Sequence, residues 1–304
     1  MSEETDPTSE RLGGTALKAG GICGDVTGVK THTVAGGGDI EIRVDETGNE
    51  DGQPILFVHG FSMSRLVWDR QLRSDLADDY RLVAMDARGH GLSDKPGGED
   101  AYADPELWAA DIEAVIDELC LDNPVLVGWS VGSEWICDYL MVHGEDTVAG
   151  VNMVGPRIAI QDEDPAEKIG EGMLGLIQSG VFASTDVEEN MAGLEQFVSL
   201  QTADPLPPKD HVFLFGNVSL VPPYARAAMI ARTVTHDDVL AELDSPVLIT
   251  HGEVDNVMQF ASTEHFSELI PNAQTSFYPQ MGHMPFLEAA DRFNQELREF
   301  VDER

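Results

Sequence analysis

Short apolar runs alternate with amphipathic stretches along most of this chain. The later runs are almost continuously apolar, which is typical of parallel strands that are buried on both faces of a sheet. Gly36-Gly37-Gly38 separates the first two runs, and this spacing predicts a hairpin. The predicted strands are Thr31–Ala35, Asp39–Val44, Pro54–His59, Tyr80–Asp86, Pro124–Trp129, Val148–Val154, Pro246–His251 and Thr275–Tyr278.

Between these runs, apolar residues recur at helical spacing, as they do over Leu107–Leu119 and Phe286–Phe300. The alternation of strands and helices predicts an α/β fold, in which helices with right-handed crossovers flank a mostly parallel eight-stranded sheet. A chain of 304 residues with 42% hydrophobic content suits one large domain that carries an insertion.

Two segments depart from this alternation. The first residues are polar and glycine-rich, which favours a flexible arm. After the sixth strand, helix-like stretches at Ala166–Gln178 and Val187–Leu200 follow one another. Because the chain leaves the sheet at Gly155 and must return at Pro246, we predict a helical cap here, with ordinary surface helices as the alternative. The predicted units are an arm at residues 1–28, a core at 29–156 and 241–304, and a cap at 157–240.

The charge of the chain is strongly acidic, and this narrows the possible partners. Asp and Glu number 55 against 18 Lys and Arg, which gives a net charge of −37 at pH 7. Like-charge repulsion opposes contact with nucleic acid or with an anionic membrane surface, so a small molecule is the expected partner. The acids are dispersed and lysine is scarce, a composition that resembles proteins of salt-accumulating halophiles. At molar salt the Debye length is about 3 Å, so the self-repulsion would be screened.

The chain shows no pattern for membrane insertion or export. No apolar run approaches the roughly 20 residues that a membrane-spanning helix needs. Met1–Asp6 is acidic and has no secretory signal pattern, so we expect a cytoplasmic location. Three cysteines do not suggest a disulfide framework in a chain of this size. Cys120 and Cys137 lie in apolar helical patterns, which predicts that both are small buried residues.

The pentapeptide Gly128–Gly132 lies between a predicted buried strand and a predicted amphipathic helix over Glu134–Met141. A serine on such a tight turn exposes its hydroxyl to substrate, and flanking glycines allow the turn without Cβ clashes. The N–H groups at the start of the helix point outward and can hold a developing negative charge. In a chain with 29 glycines this match alone is weak, so the meaning of Ser130 depends on the residues around it.

A serine hydroxyl needs a base that removes its proton, and the chain has nine histidines. His283 follows the last strand, in a loop that returns to the edge of the sheet where the serine turn lies. His59 and His90 lie upstream of the serine and are expected to shape loops. An imidazole base needs an acid that fixes its tautomer, and Asp255 follows the penultimate strand. Its rivals are Glu253, Asp162 and Asp164.

An oxyanion pocket requires two N–H donors. Val131, directly after the serine, supplies one, and Phe61, in the loop after the third predicted strand, is the expected second. Together with these two residues, Met63 and Trp129 are predicted to line an apolar acyl pocket, with core packing as the alternative. This chemistry requires no metal and no cofactor.

With these residues in place, the chain resembles the α/β-hydrolase superfamily over most of residues 30–303. Within it, the chain is most similar to the aryl-esterase and cofactor-free haloperoxidase branch, through His59–Ser64 with Trp68-Asp69 and through the serine turn. Ser62 departs from that branch, which often carries proline there. The matching segments are His59–Phe61, Asp86–Ser93, the Ser130 turn, His251-Gly252 with Asp255, and Gly282-His283.

The resemblance implies the α/β-hydrolase fold and a set of roles. Ser130 is the implied nucleophile, His283 the base and Asp255 the acid, in the chain order Ser…Asp…His of this superfamily. The N–H groups of Phe61 and Val131 are the implied oxyanion donors.

Three functional hypotheses follow. The first is a serine hydrolase that cleaves a small, largely apolar carboxylic ester through an acyl-enzyme. The second keeps the triad but hydrolyses a carbon–carbon bond, or forms a peracid when peroxide replaces water. The third is a non-catalytic ligand receptor, which a complete triad disfavours. The substrate depends on the predicted cap, whose apolar lining candidates are Phe197, Phe213, Phe215 and Tyr224.

Overall fold

The computed structural model describes residues 28–157, 165–271 and 273–304. The predicted arm at residues 1–28, apart from Gly28, lies outside the described residues. So do Asp162 and Asp164, two of the rivals for the acid.

An eight-stranded sheet runs through the molecule in the order β1-β2-β4-β3-β5-β6-β7-β8. The pairs β1–β2 and β2–β4 are antiparallel, and all the other pairs are parallel. The predicted α/β fold and the predicted hairpin are therefore confirmed. The strands are β1 Lys30–Ala35, β2 Glu41–Gly48, β3 Pro54–Val58, β4 Arg81–Met85, β5 Val125–Trp129, β6 Gly150–Val154, β7 Val247–Gly252 and β8 Gln274–Tyr278.

The second strand differs most from its prediction. It begins two residues later than the apolar run and continues to Gly48, because Val44–Gly48 pairs with β4. This extension contains Asp45 and Glu46, which are buried against cationic partners. The guanidinium of Arg81 donates to Glu46 at 2.7 Å, and the imidazole of His32 lies 2.7 Å from the same carboxylate. An apolar pattern does not detect a strand whose polar residues are neutralised by neighbouring strands.

Helices flank the sheet. Some begin at clear capping residues: Asp104 accepts a hydrogen bond from the N–H of Glu106 at 2.9 Å, and Pro105 follows the cap. In the described residues a 3₁₀ helix spans Arg65–Trp68, and the α-helices are α1 Asp69–Leu72, α2 Leu76–Asp79, α3 Asp100–Ala103, α4 Pro105–Glu118, α5 Val131–His143, α6 Pro165–Lys168, α7 Glu171–Ser179, α8 Val187–Ser199, α9 Pro208–Ser219, α10 Pro223–Ile230, α11 Asp237–Ala241, α12 Phe260–Leu269, α13 Pro285–Glu288 and α14 Ala290–Asp302.

Helices α6 to α11 all lie between β6 and β7, and we call residues 165–241 the inserted helical segment. The stretch predicted at Ala166–Gln178 is two helices, because the chain between α6 and α7 pairs with another loop. Ile169 forms an antiparallel bridge with Met258, and the N–H of Gly170 donates to the carbonyl of Val257 at 2.9 Å. The inserted helical segment is thus attached to the loop that follows β7.

Helix α5 is the central helix, and it is buried along most of its length rather than amphipathic. Trp135 stacks on Trp108 of α4 with ring centroids 4.3 Å apart. Cys137 is buried in this helix as predicted, and burial raises the pKa of its thiol. The prediction for Cys120 was wrong, because α4 ends at Glu118 and the Cys120 side chain is exposed after it.

Candidate active site

Ser130 stands on a sharp turn between the end of β5 and the start of α5. Its backbone has φ 56° and ψ −124°, a strained conformation for a residue with a side chain. The turn brings α5 close to β3: a Cβ atom at Gly132 would lie 2.6 Å from the carbonyl oxygens of Val58 and His59. A glycine at this position is therefore required by the close approach of two backbones, as the sequence pattern predicts.

Asp255 and His283 meet at this edge of the sheet. Oδ2 of Asp255 lies 2.6 Å from Nδ1 of His283, and both side chains are buried. Oδ1 of Asp255 accepts the N–H groups of Val257 and Met258 at 2.7 and 2.9 Å. Burial alone would raise the pKa of the Asp255 carboxyl. The charge and hydrogen bond of His283 outweigh this effect and hold the pKa below its usual value. Asp255 is thus an ionised partner for the imidazole, whereas its rival Glu253 is exposed.

The loop that carries His283 is fixed from two sides. The indole N–H of Trp129 donates to the carbonyl of His283 at 2.8 Å, and the N–H of Gly282 donates to Glu288 at 2.8 Å. Trp129 precedes Ser130 directly, so one side chain connects the serine turn with the histidine loop.

A second histidine, His251, lies behind the acid. Its Nε2 is 3.5 Å from Oδ2 of Asp255, and its Nδ1 is 2.6 Å from the hydroxyl of Thr263. Burial lowers the pKa of His251, which keeps the ring neutral at pH 7. Sequence reasoning placed this histidine only at the end of a strand and missed its contact with the acid.

His59 and His90 shape the loop around Phe61, as expected. The N–H of Ala87 donates to Nε2 of His59 at 3.0 Å, and the N–H of Ser62 donates to Nε2 of His90 at 3.1 Å. Both rings therefore accept at Nε2 and are neutral, and burial lowers the pKa of each. They hold the loop through backbone hydrogen bonds and do not line the cavity described next.

One cavity of about 280 Å³ brings most of the predicted site together. Ser130, His283, Phe61, Val131 and Trp129 all line it. Met63 was predicted to line it as well, but its side chain is fully buried and it is not among the described residues of the cavity wall. The other lining residues are Glu134, Trp135, Arg157, Ile169, Met173, Leu174, Ile177, Phe197, Gln201, Met229, Ile230, Arg232, Val257 and Met258.

The inserted helical segment supplies much of the apolar wall. Of its four candidate lining residues, Phe197 reaches the cavity, where its ring lies 5.9 Å from that of Phe61. Phe213, Phe215 and Tyr224 are not among the described lining residues, and the Tyr224 hydroxyl donates to the carbonyl of Lys95 instead.

A charged cluster forms part of the same wall, and the sequence interpretation missed it. Glu134 binds the guanidinium of Arg157 with one oxygen and that of Arg232 at 2.9 Å with the other. Arg232 also donates to both oxygens of Asp138, and His236 lies 2.9 Å from that carboxylate. One sequence signal could have revealed the cluster: Glu134 and Asp138 lie four residues apart in an otherwise apolar helix, and this spacing puts both on one face.

The described residues offer no group of three or more His, Cys, Asp or Glu side chains that could bind a metal ion. In the same part of the chain, no helix has both the length and the apolar character required to cross a bilayer.

Comparison with known proteins identifies the family. The family model for the α/β-hydrolase fold matches residues 53–290. The chain therefore belongs to the α/β-hydrolase family, and it is an enzyme of the hydrolase class. The resemblance inferred from the sequence is confirmed.

Three known proteins illustrate the relationship. A non-heme haloperoxidase of Rhodococcus erythropolis is 28% identical over 267 residues, which cover 83% of this chain and 93% of that protein. A bifunctional esterase/perhydrolase of Acinetobacter calcoaceticus is 27% identical over 278 residues, 86% of this chain and 96% of its own. An esterase from a Rhodococcus species, known from its crystal structure, is 37% identical in sequence. The two structures superpose with a TM-score of 0.82 over 90% of this chain and 98% of that one.

Proposed function

We propose that this enzyme is a serine hydrolase that cleaves small, largely apolar carboxylic esters. The observation that carries the proposal is the buried contact of 2.6 Å between Asp255 and His283, on a cavity that Ser130 also lines. The names of similar proteins support ester cleavage, since the relatives include an esterase and an esterase/perhydrolase.

In the proposed reaction, the hydroxyl oxygen of Ser130 attacks the ester carbonyl while Nε2 of His283 accepts its proton. Asp255 fixes the tautomer of the imidazole and stabilises the imidazolium that forms. The tetrahedral oxyanion accepts hydrogen bonds from the N–H groups of Phe61 and Val131. His283 then protonates the leaving alcohol, and the acyl-enzyme remains on Ser130. Water, deprotonated by His283, attacks the acyl carbonyl, and the serine leaves as its proton returns.

The cavity supports the proposed substrate class. Its wall is mostly aliphatic and aromatic, and a volume of about 280 Å³ suits a small acyl group. We further propose that the inserted helical segment acts as a cap over this pocket, because Ile169, Met173 and Phe197 all contribute to the wall from that segment. The cap would then select the acyl group, while the sheet edge supplies the chemistry.

Perhydrolysis, in which peroxide replaces water in the second half-reaction, is the alternative that a specific observation favours. Two similar proteins are a non-heme haloperoxidase and an esterase/perhydrolase. Against it, Ser62 replaces the proline often found beside the oxyanion residue in that branch. The Ser62 hydroxyl instead donates to the carbonyl of Val218 at 3.3 Å.

A fluorophosphonate probe tests the proposal. Wild-type protein in molar KCl should be labelled at Ser130 and should hydrolyse p-nitrophenyl esters of increasing chain length, with activity that decreases once the acyl group exceeds the cavity. Ser130→Ala is the matched control, which should neither label nor turn over substrate. A folded wild-type protein that remains unlabelled would contradict the proposal. Peracid formation, measured in the presence of hydrogen peroxide, distinguishes the perhydrolase alternative from simple ester hydrolysis.

A further inference from the structure

The wall of a mostly apolar cavity contains two arginines. Arg157 and Arg232 line it in a chain where Lys and Arg together number 18 against 55 acids. Cations are scarce in this sequence, so their placement at the reacting edge of the sheet requires an explanation. Ion pairs with Glu134 explain this placement in part, because each oxygen of that carboxylate binds one of the two arginines.

Arg157 is the accessible member of the cluster. Its side chain is 27% exposed, whereas those of Glu134 and Arg232 are 1% and 2% exposed. A guanidinium has five N–H donors, and Glu134 is its only ion-pair partner among the described residues. Arg157 is also close to the reacting group, because its backbone N–H donates to the carbonyl of Ser130 at 3.2 Å.

Two arginines but only one carboxylate belong to the described part of the cavity wall. Glu134 binds both arginines, and Asp138, which is not among the described lining residues, balances the charge of Arg232. In addition, Nε of Arg232 is buried and has no hydrogen-bond partner among the described residues. Because this N–H is buried, a ligand in the cavity can reach the remaining N–H donors of Arg157 rather than those of Arg232.

From this geometry we infer that the pocket takes esters whose acyl part ends in a carboxylate, that is, half-esters of short dicarboxylic acids, and that Arg157 binds this carboxylate. The inference rests on the proposed function and specifies its substrate class. The methylene groups lie along the apolar wall, while a planar guanidinium suits a carboxylate through paired hydrogen bonds. Because the backbone N–H of Arg157 donates to the carbonyl of Ser130, the binding residue is close to the nucleophile and we expect a short acyl chain.

The test compares matched substrates and variants. The substrates are p-nitrophenyl half-esters of succinic, glutaric and adipic acids, and the corresponding monoamides, which have the same shape without the charge. Arg157→Gln is compared with wild type and with Arg157→Lys. Arg292→Gln is the control, because Arg292 lies on α14, pairs with Glu296 and is not a cavity residue. Molar KCl screens the net charge of −37, so the preference measured arises in the pocket.

Wild type should prefer the half-ester over the monoamide. In Arg157→Gln the ratio of the two kcat/KM values should decrease by about 10- to 100-fold, the loss expected for a charge-assisted hydrogen bond, mainly through KM. Arg157→Lys should restore part of the ratio, and Arg292→Gln should leave it unchanged. Equal losses on both substrates would mean that Arg157 is structural, and this would overturn the inference. A preference for a carboxylate in the alcohol part, tested with 4-acetoxybenzoate, would overturn it as well.

Calorimetric titration with glutarate separates this inference from the proposed function. Binding to wild type that is lost in Arg157→Gln supports the carboxylate site even if no ester is hydrolysed. Absence of glutarate binding, together with no preference among the esters, overturns the inference even if the neutral esters are cleaved.

Discussion

Gly155 approaches His283 so closely that a Cβ atom there would lie 3.0 Å from Nδ1 of the imidazole. The same Cβ would lie 3.5 Å from Oδ2 of Asp255. Gly155 directly follows β6 and has φ +48°, so the backbone at the end of this strand lies against the Asp255–His283 pair. The geometry of the pair therefore depends on a residue that has no side chain.

Gly155→Ala should reduce kcat by about 10-fold or more, because small displacements of reacting groups are costly. It should also destabilise the fold by about 1–2 kcal/mol, since alanine is strained at positive φ. The matched control is Gly98→Ala, which has φ +95° but nothing within 4 Å of the added Cβ. Its kcat should be that of wild type. Equal kcat values for all three proteins, measured with p-nitrophenyl acetate, would show that the approach does not matter.

Asp255→Asn should keep the fold and lose most of the activity. The amide can still contact His283, but it does not hold the imidazole in the required tautomer or stabilise the imidazolium. We expect kcat to fall by about 10³- to 10⁴-fold, and fluorophosphonate labelling of Ser130 to slow in parallel. Glu253→Gln is the control, because this exposed neighbour should not affect either rate. If Glu253→Gln had the larger effect, the acid would be misassigned.

The buried histidines should make stability depend on pH. Burial lowers the pKa values of His59, His90 and His251 below 6.5 in the folded state. The unfolded chain therefore binds more protons, and the free energy of unfolding should decrease as the pH falls from about 6.5. Each histidine contributes a slope of up to about 1.4 kcal/mol per pH unit.

His90→Gln tests this linkage, since a glutamine oxygen can still accept the N–H of Ser62. Denaturant unfolding at constant KCl between pH 7.5 and 5 should give a shallower slope for the variant than for wild type. Parallel curves for the two proteins would mean that His90 does not stay neutral in the fold.

Asp111→Ala should be strongly destabilising. Its carboxylate accepts two hydrogen bonds from the buried guanidinium of Arg88, at 2.7 and 2.8 Å. Removing one partner of a buried pair leaves an uncompensated charge and costs about 3–5 kcal/mol. Glu50→Gln, which removes an exposed partner of Lys30, should leave the melting temperature unchanged. A small effect of Asp111→Ala in thermal unfolding would show that Arg88 is satisfied by carbonyl groups alone.

Unfolding across a KCl series tests the halophilic prediction. Screening of the net charge of −37 should raise the melting temperature from low to molar salt. Sodium sulfate at equal ionic strength separates screening from general stabilisation by excluded salts. Equal stability at low and molar KCl would contradict the prediction.

The sequence was sufficient to predict those site residues that directly follow a recognisable strand. Ser130, Asp255 and His283 each follow a predicted strand, and strand ends of a parallel sheet meet at one edge. In the structure Ser130 and His283 line one cavity, and Asp255 contacts His283 at 2.6 Å.

The sequence was insufficient to predict contacts between side chains that are far apart along the chain. Glu134 and Arg232 are 98 positions apart, and only the fold brings them together. Met63 follows Phe61 closely in sequence, yet its side chain is buried in the core. The sequence could not predict this, because loop residues have no periodicity that reveals which way a side chain points.

The bridge between Ile169 and Met258 constrains how this enzyme can diversify. Met258 also donates its N–H to Asp255, so an altered α6–α7 junction would displace the acid together with the pocket wall. Substitutions in α8, which reaches the cavity through Phe197 without this connection, are free of that penalty. New substrate ranges should therefore evolve more readily in α8 than at the junction.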